Sequence, residues 1–125
     1  MRGSKQDLPV DVDAGGAVIR QAEWGEMNAA LESFQPGVDT APIFRGLPDD
    51  RCQCPHWGYV VKGRVRVRYK DREETLSAGD VYYMPPGHTT VFEEETELVE
   101  FSPKGEYQKT IEVAARNMAA MQAGD

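Results

Sequence analysis

Four side chains in this sequence have the chemistry of transition-metal ligands, and they fall in two short segments. Cys52, Cys54 and His56 stand in the first and His88 in the second. They are the only cysteines and the only histidines, two of each. The first three are spaced i, i+2 and i+4, which puts them on one face of an extended strand. His88 and Thr90 share parity in the second segment, so two thiols and two imidazoles can converge. A thiolate–imidazole set is soft to borderline. It suits one divalent zinc, iron or copper ion, with manganese possible, before magnesium or calcium. Four protein ligands would close the site and make it structural. Three would leave a position for water or substrate. Pro55 and the loop before Cys52 distort the strand, so Cys52 or Cys54 is expected to take part, not necessarily both. A disulfide is not expected: Cα atoms two residues apart on a strand are roughly 6.5–7 Å apart, at the edge of disulfide geometry. The structural alternative stands beside each reading: a histidine held by hydrogen bonds, a thiol buried as a small apolar group. Two histidines exclude a three-histidine centre. No phosphate-cradling glycine loop, Ser–His–Asp setting or His-Glu-x-x-His is present.

Around these residues, Trp57, Tyr83, Thr90 and Glu100 are the candidate pocket-lining side chains. Of the pair Tyr82-Tyr83, the tyrosine on the interior face would donate a hydrogen bond, and Tyr83 is assigned that place. Glu100 lies between Val99 and Phe101. A register that turns it inward makes it an acid or base with a pKa raised by burial; the opposite register leaves it solvated. Glu93, Glu94 and Glu95 read as a solvated turn.

Strands must position this chemistry. Residues 59–69 read as strand, turn, strand, with Val65, Val67 and Tyr69 facing one way and the arginines the other. Further short strands are expected at 74–76, 81–84, 89–93 and 97–102, separated by Gly, Pro and acidic turns. Residues 40–45 read as a short extended piece. Residues 18–34 are ambiguous. Trp24, Met27, Leu31 and Phe34 recur at helical spacing, yet residues 27–34 also suit a strand running into Gln35-Pro36-Gly37, and that context favours the strand. Residues 1–16 read as a loose arm. The period changes at the end: Tyr107, Ile111, Ala114, Met118 and Met121 mark an amphipathic helix of about four turns. It would pack on the domain's exterior or on a second subunit.

Two of these segments resemble the cupin superfamily. Gly79, Pro85 and Gly87 sit at the spacing of its second motif, residues 59–63 resemble the strand that ends at the glycine of its first motif, and Pro36-Gly37 resembles the turn preceding that motif. The likeness covers roughly residues 30–103. It implies an all-β, cupin-type, jelly-roll-like β-barrel over residues 17–103, with an N-terminal arm over 1–16 and a C-terminal α-helix over 104–125. The first motif departs from the family: its glutamate position falls on His56, and its two histidine positions fall near Asp50 and Cys52, or on Asp49 and Arg51. The usual histidine of the second motif falls on Thr90, and His88 stands two residues earlier. The family's set of three histidines and a glutamate is therefore not carried over. The resemblance implies a metal-binding domain holding a small polar metabolite, and, if it is catalytic, an oxygenase, isomerase or lyase. The alternatives are a metal-free small-molecule-binding module or a structural dimer without catalysis.

Bulk properties set limits. A chain of 125 residues suits one domain, and 40% hydrophobic with 28% charged residues is a globular balance. The net charge of −7, from 14 basic and 21 acidic residues, excludes the electrostatic footprint of a nucleic-acid binder. The basic run Lys62, Arg64, Arg66, Arg68 has a period of two and reads as the wet face of a strand. No apolar run approaches the roughly 20 residues of a membrane span, and Asp7, Asp11 and Asp13 interrupt any secretory leader. The expected setting is cytoplasmic, with a small-molecule ligand and a homodimer as partners.

Overall fold

The computed structural model describes residues 1–123. Nine strands form two antiparallel sheets: β1 (Val10–Ala14), β2 (Ala17–Trp24), β3 (Met27–Phe34), β4 (His56–Lys62), β5 (Arg64–Arg68), β6 (Glu73–Ser77), β7 (Val81–Met84), β8 (Thr89–Phe92) and β9 (Thr96–Pro103). Their order is β1-β2-β3-β9-β4-β7 in the larger sheet and β6-β5-β8 in the smaller. The expected all-β fold is present as these two antiparallel sheets, followed by a C-terminal helix. Phe34, Val60 and Leu98 of one sheet meet Val65, Val67, Leu76 and Phe92 of the other in a shared apolar core. The rings of Phe34 and Phe92 stack at 3.8 Å.

The ambiguity over residues 18–34 resolves as a hairpin. Trp24 pairs with Met27, and Gly25 holds φ 62 between them, a backbone conformation only glycine adopts without strain. The helical spacing of four apolar residues therefore falls on two antiparallel strands. The N-terminal arm is corrected as well. Residues 10–14 are β1, joined to β2 by the Gly15-Gly16 turn, and Leu8 and Val12 are buried. Residues 41–44 are not extended but form a 3-10 turn (Ala41–Phe44) with Pro42 in its first turn. Asp39 Oδ1 accepts the Ala41 N–H at 2.9 Å just ahead of it. The basic run behaves as a wet strand face. Arg64 meets Glu93 and Glu94, Arg66 meets Glu73, and Arg68 meets Asp39 at 2.6 Å, while Val65 and Val67 are sealed inside.

The helix α1 (Lys104–Ala123) buries Tyr107, Thr110 and Ala114. Asn117 Nδ2 donates to the carbonyls of Ile43 and Arg45 at 2.8 Å each and fixes the helix to the 3-10 turn. The apolar stripe is thus used within the chain, against the mouth of the two-sheet core. Residues 124–125 of the expected helix lie outside the described residues. Among those described, no helix is long and apolar enough to cross a membrane.

Candidate metal and ligand site

Cys52 precedes β4 and is tied by backbone to the second segment. Its N–H donates to the His88 carbonyl at 2.9 Å, and its carbonyl accepts the Gly87 N–H at 2.7 Å. This bridge brings the two sequence segments together. Cys52 Sγ lies 3.6 Å from His56 Nε2. One ligand atom from each of Cys52, His56 and His88 falls within 4.8 Å of the others, and all three residues are buried. His88 Nδ1 is 2.8 Å from the Pro85 carbonyl, which can only accept, so Nδ1 carries the proton and Nε2 keeps its lone pair. His56 Nδ1 is 2.6 Å from Ser102 Oγ and 3.5 Å from Glu100 Oε2, again leaving Nε2 as the ligating atom. Burial, with the neighbouring His56 in support, lowers the His88 pKa to about 4, so it is neutral at pH 7. Burial also pushes the Cys52 thiol far up, and only a bound cation would make it a thiolate there.

Cys54 is left out of this group. Pro55 delays the strand until His56, and Cys54 Sγ lies against the Pro55 carbonyl at 3.5 Å, inside an apolar cluster with Cys52 and Tyr107. Its thiol is pushed up to about 12, chiefly by burial.

Glu100 does face inward, as one of the two registers required. Tyr82, not Tyr83, is the interior tyrosine: its hydroxyl donates to Glu100 Oε1 at 2.7 Å. The path is opened by Gly58, which pairs with Tyr82 on one side and Glu100 on the other. A Cβ there would lie 2.5 Å from the Tyr82 hydroxyl and 2.4 Å from the Val99 carbonyl. Tyr83 and Trp57 point outward, 50% and 44% exposed, and stack on each other at 5.1 Å. Strand parity is the reason: His56 and Met84 pair on the inner face, so their successor Trp57 and predecessor Tyr83 turn to the outer one. Thr90 is buried behind the wall. Its Oγ1 is 3.0 Å from Thr40 Oγ1, and Thr40 is the residue that reaches the cavity.

Sequence reasoning missed Glu32. It pairs with Leu98 while Ala30 pairs with Glu100, so the two glutamates are diagonal neighbours on one inner face. Burial first, and the charge of Glu100 second, hold the Glu32 carboxyl well above the usual range. The usable signal was the alternation Asn28, Ala30, Glu32, Phe34, which puts an acid on the buried face once residues 27–34 are read as a strand.

These groups border a cavity of about 580 Å³. Cys52, His56, Glu32, Glu100, Tyr107 and Thr110 lie at its buried polar end. Ile19, Phe34, Ile43, Phe44 and Met118 supply much of the remaining wall, which is chiefly apolar, and exposed Gly15, Pro36 and Met121 mark its opening.

A two-sheet β domain with a ligand-sized interior cavity and a converging Cys/His/His cluster is the class these features define. The cupin-domain family profile matches residues 31–100, and the chain belongs to that family. Its fold is similar to an RmlC-like cupin from Shewanella frigidimarina, 20% identical over 81% of this chain and 88% of that one, TM-score 0.60. It is similar also to KdgF from Halomonas sp., 21% identical over 80% and 92%, TM-score 0.58. An oxalate decarboxylase variant from B. subtilis is 18% identical over 81% of this chain and 28% of that one, TM-score 0.58. At these identities the likeness is one of fold. No curated protein sequence matches the chain.

Proposed function

We propose that this cupin binds one divalent transition metal through Cys52, His56 and His88 and uses it beside a small-molecule cavity. The convergence of those three side chains, with both Nδ1 atoms already tied back, carries the reading. Ligand atoms around a tetrahedral zinc are roughly 3.3–3.8 Å apart, given bonds of about 2.0–2.3 Å. The Cys52–His56 separation already falls there, and His88 needs a small adjustment. One sulfur and two nitrogens suit zinc, iron(II) or copper. A three-ligand metal would supply Lewis acidity at its remaining position. Ser102 and Glu100 orient His56, as outer partners of metal-bound histidines do. Tyr82 holds Glu100, and Glu32 keeps a proton at the cavity wall. The lyase, isomerase and oxygenase classes stay open; a fold neighbour named as a decarboxylase fits the first. A cytosolic setting, which keeps thiols reduced, suits the free Cys52.

Elemental analysis of protein purified without a metal-affinity tag or chelators tests this. Near one equivalent of a transition metal is expected, lost in His88→Ala and retained in Cys54→Ser. The cobalt-loaded protein should show a thiolate charge-transfer band that Cys52→Ser abolishes. Metal uptake unchanged by His88→Ala sinks the proposal.

We propose a homodimer on the outer face of the larger sheet, since α1 is engaged within its own chain. Trp57, Tyr59, Val61, Val81, Tyr83 and Phe101 are all exposed there, and none is charged. Aromatic side chains carry roughly 150–250 Å² each, so these residues leave on the order of 500 Å² of apolar surface, near the upper limit for monomers and most of one partner's share of a stable interface. Two chains of net charge −7 repel except across such an uncharged patch, and a self-complementary twofold contact uses it on both sides. Sedimentation should give a dimer that Tyr83→Glu converts to monomer. A monomeric wild type at micromolar concentration overturns it.

A further inference from the structure

We infer that the cavity selects an amphipathic ligand with an apolar body and an uncharged or cationic head, and disfavours carboxylates and phosphates. The inference rests on the cavity being the ligand site proposed above, and not on the metal. Three observations carry it. The lining contains no lysine or arginine, while Glu32 and Glu100 stand at its buried end and Asp39 at its rim. Asp39 is already paired with Arg68, and no lysine or arginine lines the cavity among the described residues. An anionic head would meet two carboxyl groups and no lysine or arginine to pair with, so the loss of its hydration there would be poorly compensated.

The second observation is the gradient along α1. Tyr107 and Thr110 are buried at the polar end, followed by Ile111, Ala114, Met118 and Met121 towards the opening. A ligand lying along this helix meets hydroxyls at one end and hydrocarbon or thioether along the rest. The third is an unpaired group at this end: Tyr107 lines the cavity, and its buried hydroxyl has no hydrogen-bond partner among the described residues. Glu32, holding its proton, adds a donor beside Glu100, which accepts from Tyr82. A hydroxyl head both donates and accepts beside these groups, and an ammonium head donates to Glu100, whereas a carboxylate can only accept.

Calorimetric titration with octylamine, 1-octanol and octanoate, all below their micellar concentrations at neutral pH, tests this directly. Octylamine and octanol should bind, with octanoate at least tenfold weaker. Met118→Lys places a cation in the apolar wall while keeping a good helix former. It should raise octanoate affinity and lower that of octylamine at least severalfold. His88 does not line the cavity, so His88→Ala should remove the metal and keep the ligand order. Octanoate binding as tightly as octylamine, or no binding of any of the three, overturns the inference. Octanoate binding that needs bound metal also overturns it, and leaves the metal proposal standing. Wild-type protein that takes up no transition metal yet keeps the ligand order does the reverse.

Discussion

The two faces of the larger sheet differ in a way that an antiparallel sheet with one wet side normally reverses. The inner face carries Asn28, Glu32, His56, Glu100 and Ser102, all buried. The outer face carries Trp57, Tyr59, Val81, Tyr83 and Phe101, all exposed. Such sheets usually read apolar inside and polar outside. Burying polar groups is costly unless they are hydrogen-bonded, and here most are: Ser102 with His56, Tyr82 with Glu100. Asn28 is the exception, with neither amide atom paired among the described residues. The difference teaches where the sheet's two jobs are done. Its inner surface carries the buried polar groups, its packing is concentrated around Phe34, Val60 and Leu98 against the smaller sheet, and its outer surface is exposed.

The largest expected effect comes from closing the gap that lets the inner network form. Gly58→Ala puts a methyl against the Val99 carbonyl and the Tyr82 hydroxyl, and should destabilise by about 3 kcal/mol in chemical denaturation. A midpoint close to wild type would show that the inner face is looser than these contacts imply. Next comes the tyrosine pair. Tyr82→Phe removes the donor to buried Glu100 and should cost about 2 kcal/mol. Tyr83→Phe, on the outer face, should be near neutral under monomeric conditions. Equal costs would erase the contrast between the faces.

A third test uses pH on the metal-free protein. The Glu32 pKa is raised above 4.5 in the folded state, so folded protein holds a proton that unfolded protein releases. The contribution of Glu32 should therefore fall as pH rises from 4.5 towards the folded value, by about 1.4 kcal/mol for each pH step of one across that interval. Glu32→Gln lacks that contribution and shares the one from His88, so its stability relative to wild type should grow with pH. A constant difference between the two proteins across that range would refute the assignment. His88 acts in the opposite sense: it stays neutral when folded, so stability falls as pH drops from 6.5 towards about 4. The smallest effect belongs to the outer stack. In a monomeric background, a double-mutant cycle on Trp57 and Tyr83 should give a coupling of about 0.5–1.5 kcal/mol. No coupling would mean the rings merely lie together.

Much of the architecture could be read along the chain because strand periodicity and turn chemistry are local. Val65 and Val67 alternate with arginines, and Gly79, Pro85 and Gly87 punctuate the second motif, so the second half of the chain was legible almost residue by residue. The first half was harder. Trp24, Met27, Leu31 and Phe34 imitate a helix because a two-residue turn interrupts an alternation, and β1 hid in a polar segment whose one fully inward apolar residue is Val12. Of the candidate site, Cys52, His56, His88 and Glu100 were named from residue type and parity. Tyr82 and Glu32 were not. Choosing between Tyr82 and Tyr83 depends on which residue pairs with Gly58, and recognising Glu32 depends on a diagonal contact between β3 and β9.

The sequence by itself determined the β character of residues 56–103, the family motifs and the four possible soft ligands, since these rest on spacing of a few residues. The tertiary structure decided which of the ligands converge. Cys52 reaches His88 across 36 positions through a backbone bridge, while Cys54, two residues away, lies outside that group with its thiol against the Pro55 carbonyl. It also decided which face of the larger sheet is inside. Alternation along a strand has a period of two and is equally consistent with either face inward. Only the register against neighbouring strands and the position of the second sheet break that symmetry, and here they turned Glu32, His56 and Glu100 inward together with the apolar core residues Phe34, Val60 and Leu98.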